Sequence, residues 1–295
     1  MRAGDVISLL SILTIALLSG PDMAAQHTIL WEIKDTTTGR TSYLLGTYHA
    51  LGNHFVDSLP IIREKLLGSD LAIFESIDTQ DRLSLIMSRP DDLRAVNRLK
   101  KDYAEHLIQM ARDWKYPLRK MTLTEISWKL TQEYYKTHCG NQRETDEFGH
   151  FDRYLMSIAA DARIEMHGLE TDSLQVTMIN QSQEAVRVKA IRKEIYYWID
   201  ANLELFADTS LCSLAYEYRS FDLDYQLQEP CPDDDQLISA RNAAWMKQLP
   251  ELLHQQNCFV AVGLLHLYLQ CGLVSALRRQ GYDVQPVSME MPGSQ

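Results

Sequence analysis

Phe259-Val260-Ala261-Val262-Gly263-Leu264-Leu265-His266 is a compact apolar run that ends in a glycine, with a histidine three residues later. Such a run reads as a buried strand, and a glycine at its end is expected to let the backbone turn sharply. The histidine then projects over the carboxyl edge of a sheet, where open α/β proteins place their ligands. The same ending occurs once before. Thr41 to Leu45 is β-prone and runs into Gly46-Thr47-Tyr48-His49.

Two further strands end in acids. Leu71-Ala72-Ile73-Phe74 runs straight into Glu75, and Ile164 to His167 leads into Gly168-Leu169-Glu170. If all four strands share one sheet, His49, His266, Glu75 and Glu170 converge on one edge. Around them, Thr28 to Lys34 pairs with Thr41 to Leu45 as a hairpin across Thr36-Thr37-Thr38-Gly39. Pro60 opens a helix to about Leu67. A helix from Gly272 to Arg279 and a strand around Val284 close the chain. The middle is mostly helical and is broken near Pro90, Pro117 and Cys139-Gly140-Asn141. Phe148, Phe151, Leu155, Ile158 and Ala162 recur at helical spacing, as do Val188, Ile191, Ile195, Trp198 and Ile199. Ile238, Trp245, Leu249 and Leu253 predict one amphipathic helix. Asp233 to Asp235 lack the spacing and closing Glu of an EF-hand and read as a solvated turn and helix start. The expected fold is α/β: a central mixed β-sheet built from the amino- and carboxyl-terminal halves, flanked by helices. A large helical insertion, about 80–163 and 172–256, forms a lid or wall.

At the amino end, Arg2 precedes an apolar run from Val6 to Leu18, then Gly20-Pro21 and Met23-Ala24-Ala25. Residues 1–25 therefore read as a signal peptide, the run being shorter than the ~20 residues that span a bilayer. The expected location is periplasmic or secreted, with residues 26–295 as a single domain. Removing Arg2, Asp5 and Asp22 from 29 basic and 40 acidic residues leaves 28 against 38, a formal charge of −10. That sign excludes a surface that tracks nucleic-acid phosphates. All five cysteines lie in the exported part, where an oxidising compartment lets them pair. Cys212 with Cys231, bracketing the acidic loop, is the first expected pair, and the absence of C-x-x-C argues against a thioredoxin-type or zinc-ribbon role.

A lone Gly-x-x-His is common by chance, and a lone histidine is usually structural. Two on strand ends, beside two strand-terminal glutamates, point to a site. Such a set suits a divalent metal with an open water position, or a metal-free acid–base pair. His54, His150 and His167 read as supporting or structural. Asp146-Glu147 with His150 reads as an acidic helix start more simply than as a local metal cluster.

Gly46-Thr47-Tyr48-His49 resembles the first signature of TraB/GumN proteins, a family that includes the Wnt-inactivating TIKI metalloproteases. Phe259 to Leu267, with Gly272-Leu273, Leu277 and Gly281-Tyr282, is similar to the second signature and its trailing helix. Phe151-Asp152-Arg153-Tyr154-Leu155 with Gly168-Leu169-Glu170-Thr171 resembles the middle block, and Arg241-Asn242 the pair on the penultimate helix. The family often has a glycine where Leu269 stands and an acid near Cys271. A glycine also usually occupies the position of Phe221, before Asp222, so the loops here are shaped differently. The resemblance implies a fold related to erythromycin-esterase-like and haem-binding ChaN-like proteins.

On this basis the expected activity is that of a divalent-metal-dependent, peptidase-like hydrolase acting on a peptide or small molecule. His49, His266 and Glu170 are the expected metal ligands, and Glu75 or Glu170 the general base. Gly46, Gly263, Arg241 and Asn242 support them. The ligand set tolerates zinc, manganese or cobalt, and the resemblance favours the last two. No H-E-x-x-H helix is present. Two alternatives stay open: a metal-free esterase or lactonase working through a histidine oriented by a glutamate, and a non-catalytic protein that sequesters a peptide, a haem or a polysaccharide-related ligand.

Overall fold

The computed structural model describes residues 27–77, 79–182, 188–206, 208–232 and 237–289. Its first element is the expected hairpin, closed by one carboxylate. Asp35 Oδ1 accepts from the Thr37 and Thr38 amides and the Thr37 hydroxyl at 2.8, 3.2 and 2.6 Å, and Gly39 supplies φ +75°. This turn sets β1 (Leu30–Lys34) against β2 (Thr41–Thr47), with Leu30 opposite Leu45 and Lys34 opposite Thr41.

Two helices, α1 (Asn53–Asp57) and α2 (Pro60–Leu67), lead to β3 (Leu71–Phe74). Pro60 sits at a helix start, where its missing N–H costs nothing. Then follow α3 (Thr79–Met87), α4 (Arg94–Asn97), α5 (Lys101–Met110), α6 (Leu123–His138) and α7 (Phe151–Asp161). β4 (Glu165–Gly168) interrupts the helices before α8 (Asp172–Ser182), α9 (Val188–Asn202), α10 (Ser213–Ser220), α11 (Ser239–Trp245) and α12 (Leu249–Gln255). β5 (Cys258–Gly263), α13 (Leu273–Arg279) and β6 (Asp283–Pro286) complete the order.

The six strands form one mixed sheet, β4-β3-β5-β2-β1-β6. β2, β5, β3 and β4 run parallel, and β1 is antiparallel to both of its neighbours. β5 is buried along its whole length, consistent with its unbroken apolar run. The register ends the parallel strands together: Thr47 faces Gly263, and Phe74 faces both Ala261 and Gly168. The residues that follow these strand ends therefore emerge on one edge.

Two apolar cores result. One packs on the sheet and takes in Phe151, Leu155 and Ile158 of α7. The other lies among α5, α6 and α9, with Leu107, Ile126, Leu130, Ile195 and Ile199 at its centre. Tyr48, the residue before His49, packs against both. No described helix is long and apolar enough to cross a membrane.

Three expectations need correction. The disulfides are Cys139–Cys212 and Cys231–Cys271, not Cys212–Cys231, and Cys258 is free and buried. The pairing depends on where α6 and the loop after β5 come to rest, which spacing does not encode. The helix expected from Ile238 to Leu253 is two helices, broken at 246–248. Pro250 explains the break, because it lacks the N–H that a continuing helix would need. Asp146 lies in the loop before α7, not on a helix start, and pairs with His54 at 2.8 Å. The expected signal peptide and Asp233 to Asp235 lie outside the described residues.

Cys139–Cys212 closes a loop with a sequence separation of 73. The double substitution Cys139→Ser, Cys212→Ser is expected to lower unfolding stability by roughly 2–4 kcal/mol. Urea denaturation beside the wild type measures this, and non-reducing peptide mapping identifies the pairs.

Candidate active site

The four strand ends deliver His49, Glu75, Glu170 and His266 to one place, together with Arg241 and Trp245 of α11. Neither motif glycine is needed for a turn. Gly263 has φ −54° and ψ 138°, open to any residue, and Gly46 is absent from the positive-φ residues. Space is the reason instead. A Cβ on Gly46 would lie 2.9 Å from Leu264 Cδ1 and 3.1 Å from Leu267 Cδ2. A Cβ on Gly263 would lie 3.0 Å from Glu75 Oε1, 3.3 Å from His49 Nε2 and 3.7 Å from His266 Cδ2. The volume above Gly263 is thus bounded by three of the four expected site residues.

Arg241 occupies the centre. Its Nε donates to Glu170, and its Nη2 to Glu75 Oε2 and Glu170 Oε1, both at 2.6 Å. Nη1 donates to Leu237 O at 3.2 Å and to His266 Nε2 at 3.0 Å. A guanidinium has five N–H groups, and all five are used. Glu170 is equally committed: its side chain is 3 % exposed, and Oε2 also accepts from Trp245 Nε1 at 3.0 Å.

The tautomer of His266 follows from Asn242. The amide Nδ2 donates to the carbonyls of His266 and Cys271, so Oδ1 faces His266 Nδ1 at 2.7 Å and accepts its proton. Nε2 then carries the lone pair that Arg241 binds. Its 3.7 Å approach to Glu75 Oε1 is not a hydrogen bond.

Glu75 Oε1 accepts from the Gly263 amide at 2.7 Å, and Gln175 Nε2 reaches Oε2 at 3.2 Å. Burial pushes this carboxyl up, but with His266 neutral, Arg241, His49 and the Gly263 amide still hold it below the usual carboxylate range.

His49 is different from His266 although the motif is the same. Its side chain is 47 % exposed, and its Nδ1 lies 2.5 Å from Asp152 Oδ2. Crowding at the mouth of the cleft disfavours the charged ring, but Asp152 and then Glu75 overcome this and raise it to about 9. Asp152, on the first turn of α7, is held low by His49 against its burial. The His150 ring stacks on His49 at 5.1 Å, and burial pushes it down to about 3.

The sequence reading missed Asp152 as the partner of His49, and Trp245 as that of Glu170. Signals existed for both. Asp152, Leu155 and Ala159 fall on one helical stripe, so a carboxylate interrupts an apolar face. Arg241 and Trp245 are four apart on one helix. His167 lies aside, bonded to Gln248 at 3.0 Å, and His54 is tied to Asp146.

The expected metal ligands do not fit an ion in this arrangement. His266 Nε2 and both oxygens of Glu170 are spent on Arg241 and Trp245, and the guanidinium occupies the position between them. An ion placed there would expel a cation from charged hydrogen bonds worth about 1.5–3 kcal/mol each.

Two measurements test this account. Arg241→Met leaves two buried carboxylates unpaired and is expected to cost about 3–5 kcal/mol at neutral pH by urea denaturation. The Glu75 share of stability is fully present above its unfolded value of 4.5 and is lost as pH falls through its lowered folded value. By NMR, the His49 ring is expected to titrate near 9, and to fall toward 6.5 in Asp152→Asn. The His49 contribution runs oppositely: it is present below 6.5 and lost as pH rises through about 9.

Comparison with curated proteins and with solved structures returns no match. The model of the TraB/PrgY/gumN family aligns with residues 29–286, nearly the whole described chain, and the protein belongs to that family.

Proposed function

We propose that this protein is a hydrolase in which His49, oriented by Asp152, is the acid–base group and Glu75 its carboxylate partner. The observation that carries this reading is the half-exposed His49: Nδ1 is pinned by a buried carboxylate, and Nε2 borders the small space over Gly263 beside Glu75 Oε1. Fixing one ring nitrogen sets the tautomer and aims the other, as in the histidine–aspartate half of a hydrolytic triad. Neutral His49 takes a proton from water in that space as the water attacks an ester or amide carbonyl. The imidazolium returns the proton to the leaving group, and ionised Glu75 stabilises the charge in between. Arg241, with no donor to spare, holds Glu75, Glu170 and His266 in place.

This is a metal-free mechanism, and Arg241 at the expected metal position is what favours it over the metal-dependent reading. The substrate is a peptide or a small ester or lactone. Two disulfides support work in an oxidising compartment, in keeping with export to the periplasm or beyond.

The test is hydrolysis of a panel of esters, lactones and peptides by wild type, His49→Gln and Gly263→Ala. Wild-type cleavage of at least one class is expected to survive exhaustive chelation and to vanish in His49→Gln. Because neutral His49 is the active form, kcat/KM is expected to climb about tenfold per pH unit and level off near 9. Gly263→Ala suits the backbone φ, but its methyl pushes Glu75 Oε1 aside and fills the reacting space, so it is expected to lose activity, with folding checked by circular dichroism. Cleavage that disappears on chelation and returns with manganese or cobalt would overturn the metal-free mechanism, and an inert wild type would overturn the hydrolase.

A further inference from the structure

We infer that His49, His150 and Asp152 form a transition-metal site, which shares only His49 with the expected His49–His266–Glu170 set and whose occupation separates His49 from Asp152. Among the described residues, these three alone bring His, Cys, Asp or Glu ligand atoms together in a group, all within 4.8 Å of one another.

Two independent features point to a ligand. His150 Nδ1 and Asp152 Oδ1 are buried without hydrogen-bond partners, and Asp152 as a whole is only 9 % exposed. The Thr47 hydroxyl lies beside Asp152 and helps to hold its carboxyl low, so His150 Nδ1 is the atom left wholly without a partner. Buried polar atoms are normally paired, and each orphan calls for an explanation. An ion bound by both residues supplies one.

The rings of His49 and His150 stack with centroids 5.1 Å apart and 29° between their planes, and a turn of one ring about its Cβ–Cγ bond brings a nitrogen of each onto one ion. Backbone ties hold them there: the Phe151 amide, next to His150, donates to the His49 carbonyl. The half-exposed face of His49 leaves room for a water ligand.

The ligand set selects the ion. Two imidazoles and one carboxylate suit zinc, cobalt, iron or copper, whereas magnesium and calcium need oxygen donors. Lys136 and Arg153 bring positive charge toward His150, which further disfavours an ion held by charge alone. Binding puts the ion where His49 and Asp152 now meet, so the two no longer bond to each other. The loaded protein then lacks the dyad described above. The site stands on its own geometry and does not depend on the hydrolase reading.

Cobalt(II) added to the untagged, metal-free full-length protein tests this, read by its visible ligand-field bands and by elemental analysis after dialysis. One ion per chain is expected. His150→Ala and His150→Gln, each checked for folding by circular dichroism, are expected to weaken binding by at least about tenfold. His266→Ala is expected to bind as wild type does. Absence of binding by the wild type, unchanged binding by both His150 variants, or an equal loss in His266→Ala would each overturn the site. Binding is read without substrate, so this outcome is independent of whether the protein hydrolyses anything.

Discussion

The guanidinium of Arg241 joins four parts of the fold that share no local sequence. Its hydrogen bonds reach the end of β3 through Glu75, the end of β4 through Glu170, the segment after β5 through His266, and the turn before its own helix through Leu237. Two buried carboxylates near one another repel and would protonate or separate without a cation between them. The guanidinium removes that conflict and satisfies its own donors at the same time. The sheet edge is therefore held by an electrostatic clasp, and the cleft has its shape because that clasp is closed.

Once Arg241 is committed, the two Gly-x-x-His motifs cease to be equivalent. His266 is 3 % exposed by side chain, fixed at one nitrogen by Asn242 and at the other by Arg241. It has no nitrogen left for chemistry. His49 is anchored only at Nδ1 and keeps Nε2 at the mouth of the cleft. The symmetry of the motifs at the ends of neighbouring strands β2 and β5 is topological. The chemistry differs because α11 covers one histidine and α7 supports the other from the side.

Much of this was legible in the sequence. Apolar runs ending in Gly-x-x-His, or directly in glutamate, located β2, β3 and β5 and the edge on which their ends meet. The family resemblance supplied Arg241 and Asn242 as positions, though without their roles. What the sequence withheld is long-range. A carboxylate on the apolar stripe of α7 marked Asp152 without naming His49 as its partner, and the disulfides depend on where α6 and the loop after β5 come to rest. The motif glycines were correctly located but misread: contacts with Leu264, Leu267 and Glu75 require them, while their φ values do not. Left-handed positions lie elsewhere, Phe221 with φ 58° and Leu269 with φ 67° among them. These are the two places where the resemblance to the family led to the expectation of a glycine.

That substitution has a structural counterpart. A leucine in the left-handed region costs roughly 1–2 kcal/mol and persists only where its surroundings fix it. Around Leu269 the Tyr225 carbonyl takes its amide, Ser275 and Gly272 donate to its carbonyl, and Cys271 is bonded to Cys231 two residues on. The same staple presents the Cys271 carbonyl to Asn242, whose amide orientation sets the proton on His266 Nδ1 and so frees Nε2 for Arg241. The disulfide is thus connected to the clasp by three hydrogen bonds in series. The covalent bond restrains the strained loop, the loop orients one amide, and the amide fixes the tautomer on which the central cation depends.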